Sequence, residues 1–500
     1  MAEDLIDGTR ILRWSNVTSG WGTWSFLVWI LPAGLGLGLR TWNLTALEFL
    51  PLFVMVYAAS RLRGCQLKGT PTLVTICHWL FVYIFLGLAP LFSFLHGGAF
   101  PVDAQTYRSR TVVLGFLAIT VGILAFDIGW RLADRHPNSG LFFAADRLFR
   151  RHLSRSRVYV FAMAGIVTSI VLIDKFGGLG TLFFSSQDRA ELIAAVAGGG
   201  EGLALFLTLS TLLRTPSIVS FVSLLILARY RRPLGISGKI LLLVSGLLMA
   251  LISNPVSGSR IWVGTIFIGI GFIVMPWNRQ RSVALVTIGI TLAVVVVFPF
   301  ADSYRYSTDV RLSDTLRGPG ITDVLTTKGD FDAFQQVLNT VEYVHSHGFT
   351  RGTQLAGSLL FWVPRLMWPN KPEATGILVA EDQGYEFLNL SLPLWGELYI
   401  DGGFPLIFAG FLFYGAVVNR LDEWYMVDRV KSVPSFAMVF VPIFAPYEFF
   451  LLRGCLMPAL ASLMPILLCF FVNTTRARDQ SLEGMHPALP RPSSAGGPIT

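Results

Sequence analysis

The chain is predicted to be an all-α polytopic integral membrane protein of about 12 transmembrane helices, on three observations. Hydrophobic residues fill 53% of its 500 positions and charged residues only 14%, against roughly a quarter charged in soluble domains. Its mean hydropathy is +0.60. Apolar stretches close to the roughly 20 residues that cross a hydrocarbon core of about 30 Å recur along the sequence. So few polar side chains cannot coat a water-facing globule, and so little charge does not suit a disordered chain.

Twelve stretches qualify: 21–39, 44–60, 73–93, 111–130, 158–173, 205–228, 240–253, 261–277, 283–300, 404–419, 436–452 and 456–472. Arg214 and Pro216 interrupt the sixth, and the seventh is short and stops at Asn254-Pro255. The first residues lack the basic start, short apolar core and cleavage site of a signal peptide, so the first span is expected to stay in the membrane. Twenty-four lysines and arginines fall in one alternate set of loops, seven of them from Arg131 to Arg157, and seven fall in the short loops of the other set. The positive-inside rule then puts both termini in the cytoplasm and favours an even number of spans. Residues 1–300 are expected to carry helices one to nine. Residues 301–403 form one large periplasmic loop of short helices, and 404–472 carry helices ten to twelve. Residues 473–500 form a cytoplasmic tail, which its Pro, Ser and Gly mark as disordered.

The net charge of +8 follows from these loop cations. A nucleic-acid binder would gather them on one polar face, so no nucleic-acid partner is expected. Cys77 and Cys469 lie inside apolar spans, Cys455 at the edge of one and Cys65 in a loop, which gives no disulfide framework. Phosphate-cradling and metal-ligand spacings are missing, and neither a metal nor a cofactor is expected. The D-x-D triplet Asp330-Phe331-Asp332 is of a kind that can hold a metal, but one this short arises often by chance and a helix cap explains it equally well.

The large loop is ordered by its pattern. Phe331, Phe334, Leu338 and Val341 share one face of a helix that Asp330 would open and Gly348 would end. Leu359 to Val363 is a second apolar stretch, stopped by Pro364. Both are expected to lie on the membrane interface. Arg189, Arg260, Arg351, Arg365 and Lys371 fall on the outer side, and Arg214 falls inside a span, where an ionisable residue is costly and suggests function. Arginine's planar fork matches phosphate, so these cations suit a lipid diphosphate. In Val363-Pro-Arg365-Leu-Met-Trp368-Pro-Asn-Lys371-Pro372 three prolines stiffen the chain. They present Arg365 and Lys371 beside Trp368, a residue suited to stacking on sugars. Gly396-Glu397-Leu-Tyr399-Ile-Asp401-Gly402-Gly403 brings two carboxylates to the head of the tenth span.

The run VPRLMWPNKP followed by GELYIDGGFPLIFAGF resembles the bacterial oligosaccharide repeat-unit polymerases, the O-antigen polymerase (Wzy) family. Asn254-Pro-Val-Ser-Gly-Ser259-Arg260, opening an apolar span, matches another recurrent stretch of that group, and ten residues separate Arg189 from Gly200 as in its R-x10-G element. The resemblance covers about 190–420 by motif and the whole chain by topology. It implies a glycosyltransferase of the bacterial inner membrane that joins undecaprenyl-diphosphate-linked oligosaccharides at the periplasmic face, without a cofactor. Membrane lipids, a chain-length regulator and a flippase of the same pathway are its implied partners, and O-antigen, capsule or exopolysaccharide its product. The cations would stabilise the leaving diphosphate. A base must take the proton of the acceptor hydroxyl; the candidates are Glu397, Asp401, His345 and His347, with Glu397 preferred and His347 second. The competing readings are an O-antigen ligase, which uses the same donor, a lipid-linked oligosaccharide flippase or transporter, and a structural assembly partner.

Overall fold

The computed structural model describes residues 20–37, 46–136, 140–175, 177–183, 200–230, 234–254, 259–277, 280–297, 325–327, 329–388 and 390–476. The described chain is almost wholly helical. After a helical stretch over 20–36 come α1 (Phe49–Lys68), α2 (Leu73–Leu95), α3 (Ser109–Arg135), α4 (Arg155–Lys175) and α5 (Gly200–Tyr230). Then follow α6 (Ile236–Ile252), α7 (Arg260–Val274) and α8 (Gln280–Val297). The long connection supplies α9 (Ala333–His347), α10 (Thr353–Leu359) and α11 (Thr375–Asp382). The last three are α12 (Leu394–Val430), α13 (Phe436–Arg453) and α14 (Leu456–Val472). Strand structure among the described residues is one pair of two-residue strands, His152–Leu153 against Thr474–Thr475.

Seven of these helices are long and apolar enough to cross a membrane, and α6, α7 and α14 are shorter apolar helices. They turn apolar side chains outward, among them Val160 and Val167 of α4, Leu243 and Leu247 of α6, and Leu468 and Val472 of α14. In water such a girdle would cost solubility; in lipid it is the expected surface. The second expected span differs in a telling way. Its helix starts at Phe49 and runs on to Lys68, so Arg61, Arg63 and Lys68 lie on helix and not in a loop. Hydropathy marks where the solvent changes, while the backbone goes on hydrogen-bonding into water. The same holds at Arg420 and Arg429, which belong to α12.

The tightest contact joins α3 to α12. A methyl group at Gly129 would come 1.9 Å from the Leu412 carbonyl oxygen, and one at Gly415 would come 2.1 Å from that of Phe126. Only glycine lets the two backbones touch, as at small-residue interfaces between membrane helices. Arg420 closes this contact by donating to the carbonyls of Ala133 at 3.2 Å and His136 at 2.6 Å.

The long connection is built into the bundle. Phe331, Phe334, Val337 and Leu338 belong to the same core as the spans. Phe334 packs on Phe116 with ring centroids 4.3 Å apart, and Leu338 fills the space over Gly115. α9 ends at Gly348 as its sequence suggests, but it begins at Ala333, and it is buried from Ala333 to Val341 instead of lying on a membrane interface. Its polar face is buried as well, because distant groups satisfy it. Gln335 exchanges two 2.9 Å hydrogen bonds with the backbone of Val102. Asn339 donates to the Tyr385 hydroxyl at 3.0 Å, and Tyr107 donates to Asn339.

Candidate functional site

The site is organised by a reversal inside α12. Gly403 has φ 63 and ψ −149, a conformation open mainly to glycine. The chain folds back there, so that Leu398 covers Gly410 and Trp395 meets Phe411 with ring centroids 4.2 Å apart. The first arm, 394–402, is thereby enclosed, and Glu397 and Asp401, one turn apart, are both buried.

Each carboxylate is hydrogen-bonded on both oxygens. Asp401 accepts from the backbone N–H groups of Gly352 at 3.0 Å, Gln354 at 3.2 Å and Leu355 at 2.6 Å, and from the Thr350 hydroxyl. It thus satisfies free donors at the start of α10, a capping task supplied from another helix. Glu397 accepts from the Thr375 hydroxyl at 2.6 Å and from the Leu456 N–H at 2.7 Å. It therefore ties the starts of α11 and α14 to the hairpin. Both residues were expected on the membrane surface as candidate bases; the fold encloses them inside the protein, where they also tie helix starts together.

The proline-rich turn is braced by its own cations. Lys371 Nζ donates to the carbonyls of Phe361 and Val363, the latter at 3.0 Å, and Arg365 donates to the Lys371 carbonyl at 2.8 Å. Burial, followed by repulsion from Arg365, holds the Lys371 ammonium below its usual lysine value. Arg365 stays largely exposed, with Glu373 at 3.7 Å as its carboxylate neighbour. Trp368 is half-buried in the same turn. The stretch 359–363 is not a separate helix: α10 stops at Leu359 and the chain turns up to Pro364.

Arg351 is exposed and has φ 55, next to Gly352 at φ 87, in the turn that reaches Asp401. His347 stacks on Tyr343 at 4.7 Å, and its Nδ1 lies 3.4 Å from Asp382 Oδ1, with the ring half exposed. Arg351, Arg365, Lys371, Trp368, His347, Glu397 and Asp401 therefore share one lobe, made of 343–376 and the first arm of α12.

The other arginines separate. Arg260, at the start of α7, pairs with Asp330 at 2.6 Å. Arg453, at the end of α13, pairs with Asp332 at 3.2 Å and donates to the Gly329 carbonyl at 2.8 Å. The D-x-D triplet thus binds two guanidinium groups, and Asp332 precedes α9 without a side-chain cap bond. Burial pushes the Asp332 carboxyl up, against the opposing pull of Arg453 and of hydrogen bonds from Ser391, Arg453 and Gln336. Among the described residues no three His, Cys, Asp or Glu side chains gather as a metal site requires. Arg214 lies within α5, outside this lobe, and Arg189 lies outside the described residues.

A second polar centre sits among the spans. Glu448 of α13 accepts from the Tyr414 hydroxyl at 2.6 Å and lies 3.3 Å from His78 Nδ1. His78 is stacked on Phe126 at 3.6 Å, and all of this is buried. His78 Nε2 and Glu448 Oε2 have no hydrogen-bond partner among the described residues. Asp422 by contrast accepts from the N–H groups of Val74 and Thr75, each at 3.0 Å, and from the Thr75 hydroxyl at 2.7 Å. The sequence marks His78 and Glu448 as costly residues in apolar spans, but nothing in it pairs them or points to Tyr414, Asp422, Arg453 or Asp382.

Fold and surface together define an all-α membrane protein. No family model matches the chain, and no curated protein or solved structure is similar enough to match it.

Proposed function

We propose that the protein polymerises undecaprenyl-diphosphate-linked oligosaccharide repeat units into a surface polysaccharide. In this reading it is a twelve-span protein of the bacterial inner membrane with cytoplasmic termini, and the 301–403 connection faces the periplasm. The observation that carries the reading is the lobe itself, whose segment 343–376 carries an exposed arginine on a braced turn, a second exposed arginine and an exposed histidine.

The chemistry follows from those groups. The acceptor hydroxyl oxygen attacks the anomeric carbon of the lipid-linked donor chain. The bond from that carbon to the diphosphate oxygen breaks, and the diphosphate leaves with the electron pair. Arg365 and Arg351 meet the charge that develops on it, while Trp368 offers a face to a sugar ring. The hydroxyl proton passes to a base. His347 suits this task better than Glu397, because its side chain is 53% exposed, with Asp382 3.4 Å from Nδ1. Glu397 is enclosed and has both oxygens occupied.

Purified protein supplied with lipid-linked repeats in detergent tests the reading, and the expected product is polymer. Reporter fusions after residues 150, 240 and 350 should read cytoplasm, cytoplasm and periplasm; a cytoplasmic signal at 350 would put the lobe on the wrong side for this substrate. The His78–Glu448–Tyr414 centre favours a second reading, a transporter of lipid-linked oligosaccharide, since ionisable groups held inside a membrane commonly mark transport paths. Translocation in vesicles without polymer formation would select it.

A further inference from the structure

We infer that the turn after α10 is seated in the headgroup layer of the bilayer, with glycerophospholipid as its partner. Leu366 is 93% exposed and Met367 77%, and Trp362 and Leu359 are exposed beside them. These are large apolar side chains on a segment that its own hydrogen bonds hold rigid: Met367 N–H and Trp368 N–H both donate to the Pro364 carbonyl, at 3.0 and 3.1 Å. A braced turn that keeps leucine and methionine outward is shaped for an apolar surrounding, as exposed patches of this kind usually are.

Position selects the partner. A Cβ on Gly357 of α10 would come 2.3 Å from Pro372 and 3.5 Å from Met457, so the turn sits directly on the first turn of α14. Further along α14, Met464, Leu468 and Phe471 are exposed and form part of the apolar girdle. The patch therefore lies beside the start of an apolar helix whose later turns carry exposed apolar side chains. Charge agrees with a seat in the headgroup layer. Arg365 belongs to the same turn and stays 57% exposed, with one nitrogen on the Lys371 carbonyl at 2.8 Å and Glu373 3.7 Å away, and a guanidinium beside an apolar seat meets headgroup phosphates. Trp362 is a residue type enriched at that depth. The inference uses burial, position and charge alone and does not rest on the polymerase reading.

The test is photocrosslinking. The protein, with p-benzoylphenylalanine at Leu366 or, in a second variant, at Met367, is placed in nanodiscs of phosphatidylethanolamine and phosphatidylglycerol that hold no polyprenyl lipid. The same group at Leu468 serves as the lipid-exposed reference and at Glu381 as the water-exposed one. Irradiation should add the mass of one phospholipid to the peptide carrying residue 366 or 367, as it does at 468 and not at 381. Failure to label both positions while 468 labels would overturn the proposal. So would a protein–protein adduct in place of the lipid, which would make the patch a contact between copies. Labelling that appears only after polyprenyl diphosphate is added would also overturn it, because the turn would then be a substrate clamp and not a bilayer seat.

Discussion

Two buried carboxylates of this protein carry the same chemistry in opposite states of supply. Asp401, in the hairpin arm, accepts from three backbone N–H groups and a hydroxyl. Glu448, in α13, has one tyrosine donor and a histidine beside it, and its Oε2 has no hydrogen-bond partner among the described residues. Both are buried, so burial does not separate them; the number of donors does. A carboxylate whose acceptor sites are filled by backbone holds a fold together; one left partly unsupplied in an apolar setting has chemistry in reserve.

The largest effect should come from Asp401. Asp401→Ala strips an acceptor from four donors at once, one of them buried and three part-buried, and leaving a buried donor unpaired costs about 1–3 kcal/mol. We expect loss of the folded protein, or a drop of at least about 3 kcal/mol by chemical or thermal unfolding in detergent. An Asp401→Ala protein that melts like the wild type would remove its role in tying helix starts together.

Next in size is the exposed base. His347→Gln should lower polymer formation about a hundredfold, within the range for a lost general base, while expression and thermal stability stay unchanged. Glu397→Gln should instead lower stability, because its amide nitrogen cannot accept in place of a carboxylate oxygen. If Glu397→Gln abolished turnover in a stable protein, the base would move back to Glu397.

The under-supplied centre should behave differently again. Removing either His78 or Glu448 alone isolates the other, whereas replacing both by apolar residues of similar volume is often neutral. His78→Phe with Glu448→Leu should therefore be more stable than the sum of the single losses, with a coupling of about 0.5–3 kcal/mol. Strict additivity in the double-mutant cycle would show that the two side chains do not interact.

The smallest effect concerns Asp332, whose carboxyl is held above its ordinary value of 3.8. A raised acid favours the fold while protonated, and that contribution fades as the pH rises through its folded value. The wild type should therefore lose melting temperature relative to Asp332→Asn as the pH climbs from 3.8. A gain over the same range would mean that Arg453 outweighs burial.

The all-α, apolar character was legible because hydropathy reports the solvent around each segment, and the same signal misplaced the end of α1, whose helix continues through Arg61 and Lys68. α9 was legible by period but not by depth. Gln335, Gln336 and Asn339 look like a water-facing side until Val102, Tyr107 and Tyr385 arrive from other parts of the chain. Glu397 and Asp401 stood out as carboxylates at the head of a span. Their enclosure depends on the reversal at Gly403 and on partners at 350–355, 375 and 456, which no local pattern encodes. The D-x-D triplet reads alike whether it meets a metal or two arginines, and only the folded chain decides between them.

The glycine contact between α3 and α12 also sets a schedule for making the protein. Arg420 and Ala133, which close it, are 287 positions apart in the chain. A ribosome adding roughly 5–20 residues per second needs on the order of 15–60 s to cover that interval. Through that interval the groove along Gly122 and Gly129 is already synthesised while its partner has yet to be made. Until residues 394–430 are made, Gly122 and Gly129 lack the side chains and backbone they pack against in the finished fold. A truncation ahead of Leu412 should leave a membrane-inserted product that is captured by degradation instead of accumulating.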